Sequence, residues 1–270
     1  MRFGVSNKGF SKMQFIRLKD DEYFERLKHS GMVVAKCLKA FKSLVDYPAP
    51  NLNLLDIEAE CVKIIADHDC HPTFKGYKGF PGFVCLSVNK ALVHGIPKDY
   101  VLQEGDVVTL DLGAHTECGV IADAAVSAIY GKPRHPDHPR MLEYCKGALQ
   151  KGIEAIEVGK QLGCIGNAIN YHVKSSGFKL IVDYGGHGID RHKPHAQPFV
   201  FNKAQRNEGV RIQPGLSIAI EPMLAIGSNK TKKLADNWTV AAKGIACHFE
   251  HSVFVKEDGA HVMTDWEALE

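Results

Sequence analysis

Four acids and one histidine stand in apolar surroundings. They are Asp111, Asp123, His187, Glu221 and Glu250, in the segments VVTLDLGAHT, VIADAAV, YGGHGID, SIAIEPML and CHFEHSVFV. Carboxylates in apolar strands are costly unless positive charge neutralises them. None of the five segments contains a Lys or Arg. A pair of divalent cations would supply the charge and would also catalyse hydrolysis.

The first two acids belong to a predicted hairpin. With the turn centred on Glu117, Asp111 and Asp123 are directly opposed, and opposed Cβ atoms lie about 4.5–5.5 Å apart. Like charges repel at that distance, whereas two metals roughly 3.5–4 Å apart would use both acids. Solvent-facing acids are the alternative. Against it stand the apolar neighbours Val107, Val108, Leu110, Leu112, Ile121, Ala122 and Val126. His187 follows two glycines, which permit unusual dihedrals and close approach to a ligand. Taken alone, a His in such a turn reads as structural. Glu221 and Glu250, taken singly, read equally well as edge-strand residues. It is the set of five that argues for a site.

The elements that must position this set are legible from periodicity. Residues 20–46 place Phe24, Leu27, Met32, Val33, Cys37, Leu38 and Phe41 at helical spacing, and Pro48 and Pro50 end the pattern. A second helix is predicted over 53–67 through Leu55, Ile57, Cys61, Ile64 and Ile65. A loop rich in Gly, Pro and aromatics follows at 72–83. Strands are predicted at 83–88, 107–116 and 119–130, and helices at 137–157 and 161–176. Further strands are predicted at 179–183, 216–224, 238–242 and 246–256. The order of helices then strands occurs twice, which predicts an α+β fold of two related halves. DHDCH at 67–71 reads as a polar turn, and RHPDHPR at 134–140 as a connector capped by its own Asp and Pro.

Composition excludes more than it identifies. At 270 residues the chain can bury a sizeable core, and a net charge of +2 gives no field directed at DNA. Cys37, Cys61, Cys70, Cys85, Cys118, Cys145, Cys164 and Cys247 form no CxxC pair, so they read as buried thiols of a reducing cytoplasm. No apolar run is long enough to span a membrane. The first nineteen residues carry five basic groups and no acid; they read as a solvated tail, with contact to ribosomal RNA as the alternative.

The segments CLSVNKALVHGIP (85–97), GDVVTLDLG (105–113), IADAAV (121–126), GGHGIDRHKPHAQP (185–198), PGLSIAIEPM (214–223) and FEHSV (249–253) carry a resemblance. From about residue 16 to its end, the chain resembles the type I methionine aminopeptidases, pita-bread metallopeptidases of the M24-like family. The resemblance implies one α+β domain over 16–270 after a basic tail at 1–15. Its two pseudo-symmetric halves would form a curved antiparallel sheet covered by helices. It implies removal of the initiator methionine from nascent chains with a small second residue, through water activated between two divalent ions (Mn, Fe, Co or Zn). Only 25 residues lie between His195 and Glu221, too few for the helical insertion of the type II enzymes. A monomer is implied, with N-terminal Met peptides as its partners.

Roles follow from the same resemblance. Asp111 would chelate one ion, Asp123 and Glu250 would bridge both, and His187 and Glu221 would hold the other. Glu221 would also shuttle the proton. His94 and His195 would hydrogen-bond the scissile amide and the oxyanion. Phe74, Tyr77, Phe80, Cys85 and Trp238 would form the methionine pocket. The chain departs from the family pattern in four places. Asp111 and Asp123 are one residue further apart than usual, and one residue is inserted between His187 and His195. Pro194 stands where a Phe usually precedes the second histidine, so His192 competes with His195 for its role; AQP after His195 matches the family's tail and selects His195. Gly113 and Ala124 replace hydroxyl-bearing residues. A proline-specific relative and a non-catalytic pita-bread binding module are the alternatives.

Overall fold

A computed structural model of the chain describes residues 16–48 and 50–269, so the basic tail expected at 1–15 lies outside the described residues. The apolar spacing noted above produces α1 (Asp21–Asp46), capped by Asp20, whose side chain accepts from the Tyr23 N–H at 2.8 Å. It buries Phe24, Leu27, Val33, Cys37, Leu38 and Phe41 and stops at Tyr47, ahead of Pro48. The next helix, α2 (Leu54–Asp67), opens with a capping box between Asn53 and Asp56. Its buried stripe is Leu54, Ile57, Cys61 and Ile65. Leu55, expected on that face, is exposed, because the stripe at helical spacing starts one residue earlier.

Three short strands, β1 (Cys70–Pro72), β2 (Cys85–Val88) and β3 (Ala91–Val93), lead to the long hairpin of β4 (Val107–Thr116) and β5 (Ile121–Ile129). β5 pairs with one edge of β4, while β1 and β2 share the other. The hairpin is buried almost throughout, because α1 packs across both strands and the second half of the chain packs against them as well. Its register corrects the sequence reading. Asp111 pairs with Ala125 and Gly113 with Asp123, so the two acids are diagonal rather than directly opposed. The turn is centred one residue later than expected. The Gly119 N–H bonds Thr116 O at 2.7 Å, and Gly119 itself sits at φ +77°, where a Cβ is disfavoured. Diagonal neighbours share a face of the sheet and lie about 7–8 Å apart.

The second half supplies α3 (Asp137–Glu154) and α4 (Gly163–Val173), packed on each other, and then a series of strands. These are β6 (Lys179–Leu180), β7 (Gly186–Asp190), β8 (Lys193–Val200), β9 (Ser217–Ile220), β10 (Met223–Ala225), β11 (Thr231–Lys233), β12 (Val240–Ala242), β13 (Ala246–His248), β14 (His251–Lys256) and β15 (Gly259–Val262). Pro136 occupies the N-cap position of α3 without a side-chain hydrogen bond, so the expected cap by Asp is not made. The larger sheet has the order β15-β14-β9-β7-β8, and smaller sheets run β13-β10-β6 and β11-β12-β3.

Three differences from the predicted strands matter for the site. The strand expected over 216–224 breaks at Glu221–Pro222, because Pro222 has no N–H to continue the ladder. The strand expected over 246–256 breaks at Phe249–Glu250, where the Glu250 backbone leaves its own sheet and bridges to β5. There the Glu250 N–H donates to Ala125 O at 2.9 Å, and the Ala125 N–H donates to Glu250 O at 3.3 Å. The Ser252 hydroxyl reinforces this seam by accepting from the Asp123 N–H and donating to Asp123 O, both at 2.8 Å. Finally, His187 lies in a strand rather than a Gly-rich turn. A Cβ on Gly188 would stand 2.0 Å from Gln197 O, so the glycine serves close approach of backbones within a sheet.

Candidate metal centre

The seam opens onto a cavity of about 540 Å³ lined by Asp111, Asp123, His187, Glu221 and Glu250. Each arrives from a different element. Asp111 lies within β4, Asp123 within β5 and His187 within β7, while Glu221 follows β9 and Glu250 precedes β14. All five are buried. His187 Nε2 lies 3.5 Å from Glu221 Oε1, 3.9 Å from Asp123 Oδ2 and 3.9 Å from Glu250 Oε1. These separations exceed ordinary hydrogen bonds. They fit donors that share an ion, because two atoms each about 2.1 Å from one cation stand about 3.4 Å apart at a tetrahedral angle and about 3.9 Å apart at an angle of about 135°.

Two groups of three donors have one atom each within 4.8 Å of the others: Asp123, His187 and Glu250, and Glu221, His248 and Glu250. Glu250 belongs to both. Asp111 lines the same cavity and belongs to neither. Asp123 Oδ1, Glu250 Oε1 and both ring nitrogens of His248 are buried without a hydrogen-bond partner among the described residues. Orphaned acceptors of this kind, clustered around carboxylates, are what divalent cations satisfy. The site therefore fits a metal centre.

Electrostatics point the same way. Burial pushes Asp111 and Glu221 each up to about 7. Burial and then the neighbouring carboxylates raise Asp123 and Glu250 well above the usual range. Among the described residues none of the four has a Lys or Arg within ion-pair distance. Cations in their midst would invert that cost.

The other predicted residues surround this centre. His94 follows β3 with φ +58°, and its ring reaches the cavity. Its pKa is lowered to about 4 by burial. His195 lies on β8, with its ring 4.5 Å from that of His187 and stacked on Tyr77 at 5.4 Å; Nδ1 is 3.3 Å from the Tyr77 hydroxyl. Burial, then His187 and His94, lower its pKa to about 2. Both rings are therefore neutral at pH 7 and can each offer one N–H. His192 is elsewhere. It is exposed at the β7–β8 turn, its N–H bonds Gly119 O at 2.9 Å, and its ring covers Gly119.

Phe74, Tyr77, Phe80, Cys85 and Trp238 all line the cavity. Phe80 meets Trp238 edge to face at 5.1 Å, and Phe74, Phe80 and Cys85 form a buried cluster against Ile96 and Trp238. Cys85 pairs with Asp111 across β2 and β4, so the apolar wall adjoins the acids. Its thiol pKa is pushed up by burial and by the carboxylate charges, which keeps it protonated. Sequence reasoning missed His248 and the rim residues Lys232 and Lys233. A signal for His248 was present: it stands two residues from Glu250, and such positions share a face in extended chain.

Residues 25–257 match the model of metallopeptidase family M24. A methionine aminopeptidase of Mycoplasma capricolum is 37% identical over 254 residues, spanning 93% of this chain and 99% of that protein. A methionine aminopeptidase of Aquifex aeolicus is 36% identical over 261 residues, with the same shares. The crystal structure of methionine aminopeptidase from Thermotoga maritima superposes with a TM-score of 0.88 at 33% identity, covering 93% of this chain and 99% of that one.

Proposed function

The chain belongs to metallopeptidase family M24, and from that premise we propose that it removes the N-terminal methionine from peptides by metal-dependent hydrolysis. Its architecture is the α+β pita-bread fold that the sequence resemblance implies. The observation that carries the functional reading is the convergence of four buried carboxylates and His187 beside an aromatic and thiol-lined wall.

In this reading Asp111, Asp123, His187, Glu221 and Glu250 would hold two divalent ions (Mn, Fe, Co or Zn). Bound ions would polarise the scissile carbonyl and lower the pKa of water. Glu221, a carboxylate in the cavity wall, would take a proton from the attacking water and return it to the leaving amine. Neutral His94 and His195 direct N–H groups at the scissile amide and the developing oxyanion. Phe74, Tyr77, Phe80, Cys85 and Trp238 receive the methionine side chain; aromatic faces and a soft sulfur suit a thioether. The second residue of the substrate is small, and the substrates are nascent chains.

The test is hydrolysis by protein stripped with a chelator and then supplied with Mn, Fe, Co or Zn. Met-Ala-Ser is expected to be cleaved and Ala-Pro peptides left intact. Cleavage of Ala-Pro instead would move the protein to the proline-specific enzymes. No turnover with any of the four metals would make it a binding module.

A further inference from the structure

We propose that His248 is a further metal ligand, so that each of the two ions carries one imidazole. The inference rests on the two-metal reading above and adds a donor to it. His248 closes β13, and its main chain is clamped by one hydroxyl: Ser127 Oγ accepts from the His248 N–H at 3.0 Å and donates to His248 O at 2.9 Å. Ser127 lies on β5, the strand of Asp123, and is itself bonded to Thr109 Oγ1 of β4 at 2.7 Å. The two strands that carry Asp111 and Asp123 therefore also hold this histidine in place.

The ring is 1% exposed, and neither nitrogen has a hydrogen-bond partner among the described residues. A buried imidazole left in this way is rare. His248 Nε2 stands 3.5 Å from Glu221 Oε2 and 3.7 Å from Glu250 Oε2. The opposite oxygens of the same two carboxylates face the other imidazole, with Glu221 Oε1 at 3.5 Å and Glu250 Oε1 at 3.9 Å from His187 Nε2. Both glutamates thus lie between two imidazoles and turn one oxygen to each. A structural histidine would bond one carboxylate at about 2.7–3.0 Å. Donors that share an ion at about 2.1 Å, with angles of about 110–120°, stand about 3.4–3.6 Å apart. A second nitrogen also shifts the site toward borderline cations such as Co and Zn, and away from Mn.

Proton NMR of wild-type protein loaded with Co(II) tests this directly. Each coordinated imidazole gives a strongly shifted N–H resonance that is lost in heavy water. Two such resonances are expected, one absent in His248→Gln and the other absent in His187→Gln. Calorimetric titration of the metal-free His248→Gln protein is expected to show Zn(II) binding weakened about 10–100-fold at one of two sites. A single shifted N–H in wild-type protein that binds two Co(II) overturns the proposal and leaves the two-metal reading intact. So does a His248→Gln protein that keeps both resonances. Wild-type protein that takes up no divalent ion overturns both.

Discussion

His192 and His195 are three positions apart on one hairpin, yet they face different surroundings. The ring of His195 is enclosed by His187 and Tyr77, whereas that of His192 covers Gly119 at the surface. Replacing His195 by Ala is expected to lower kcat/KM on Met-Ala-Ser by about 10²–10³, in line with the loss of a transition-state donor, while metal content is kept. His192→Ala is expected to stay within about two-fold of wild type. The reverse pattern would show that the inserted residue before His195 shifts the functional position. Spacing alone left this choice open, because an insertion of one residue can be absorbed anywhere in a turn. The β7–β8 register, with its irregularities between His187 and Asp190, is what locates each ring.

At the scale of elements, legibility followed the strength of local signals. The helices were readable because caps and apolar spacing are local: Asp20 and the Asn53–Asp56 box mark where α1 and α2 begin. The hairpin of β4 and β5 was readable as a hairpin, but its register depended on where a four-residue turn closes, and that moved Asp111 and Asp123 from opposed to diagonal. The strands bearing Glu221 and Glu250 looked continuous in sequence. Their breaks arise from a missing N–H at Pro222 and from pairing with Ala125, a partner 125 residues away in the chain. Long-range pairing of that kind leaves no local mark. The glycines beside His187 suggested a turn, when their use is contact between backbones. Gly188→Ala would place a methyl against Gln197 O. It is expected to destabilise the protein by about 1–3 kcal/mol, read as a lower urea midpoint at unchanged m-value.

Across the whole molecule the proposed metal centre lies where the two halves meet, so metal binding and stability should be linked. Free cation at one hundred times its Kd adds about 2.7 kcal/mol per site, which for a domain of this size raises Tm by about 5–10 °C per ion over chelator-treated protein. The increment depends on pH with a definite sign. Asp111 and Glu221 are raised to about 7 in the metal-free protein, and bound cations require their ionised forms. Protons therefore compete with metal below about pH 7. The Tm increment should therefore shrink as pH falls from about 7 toward 5.5, as scanning calorimetry with and without chelator would show. An increment that grows on acidification would contradict the assignment of these carboxylates.

The backbone bridge between Ala125 and Glu250 has a dynamic consequence. It consists of two amides, one from each half, and it sits directly behind a carboxylate shared by both donor groups. Opening it would draw Glu250 away from Asp123 and Glu221. Deuterium uptake at these two amides should therefore report occupancy of the centre, slow when the cations are bound and faster after chelation. The same two protons would register separation of the halves, so one exchange measurement would follow cofactor loss and opening of the molecule as a single event.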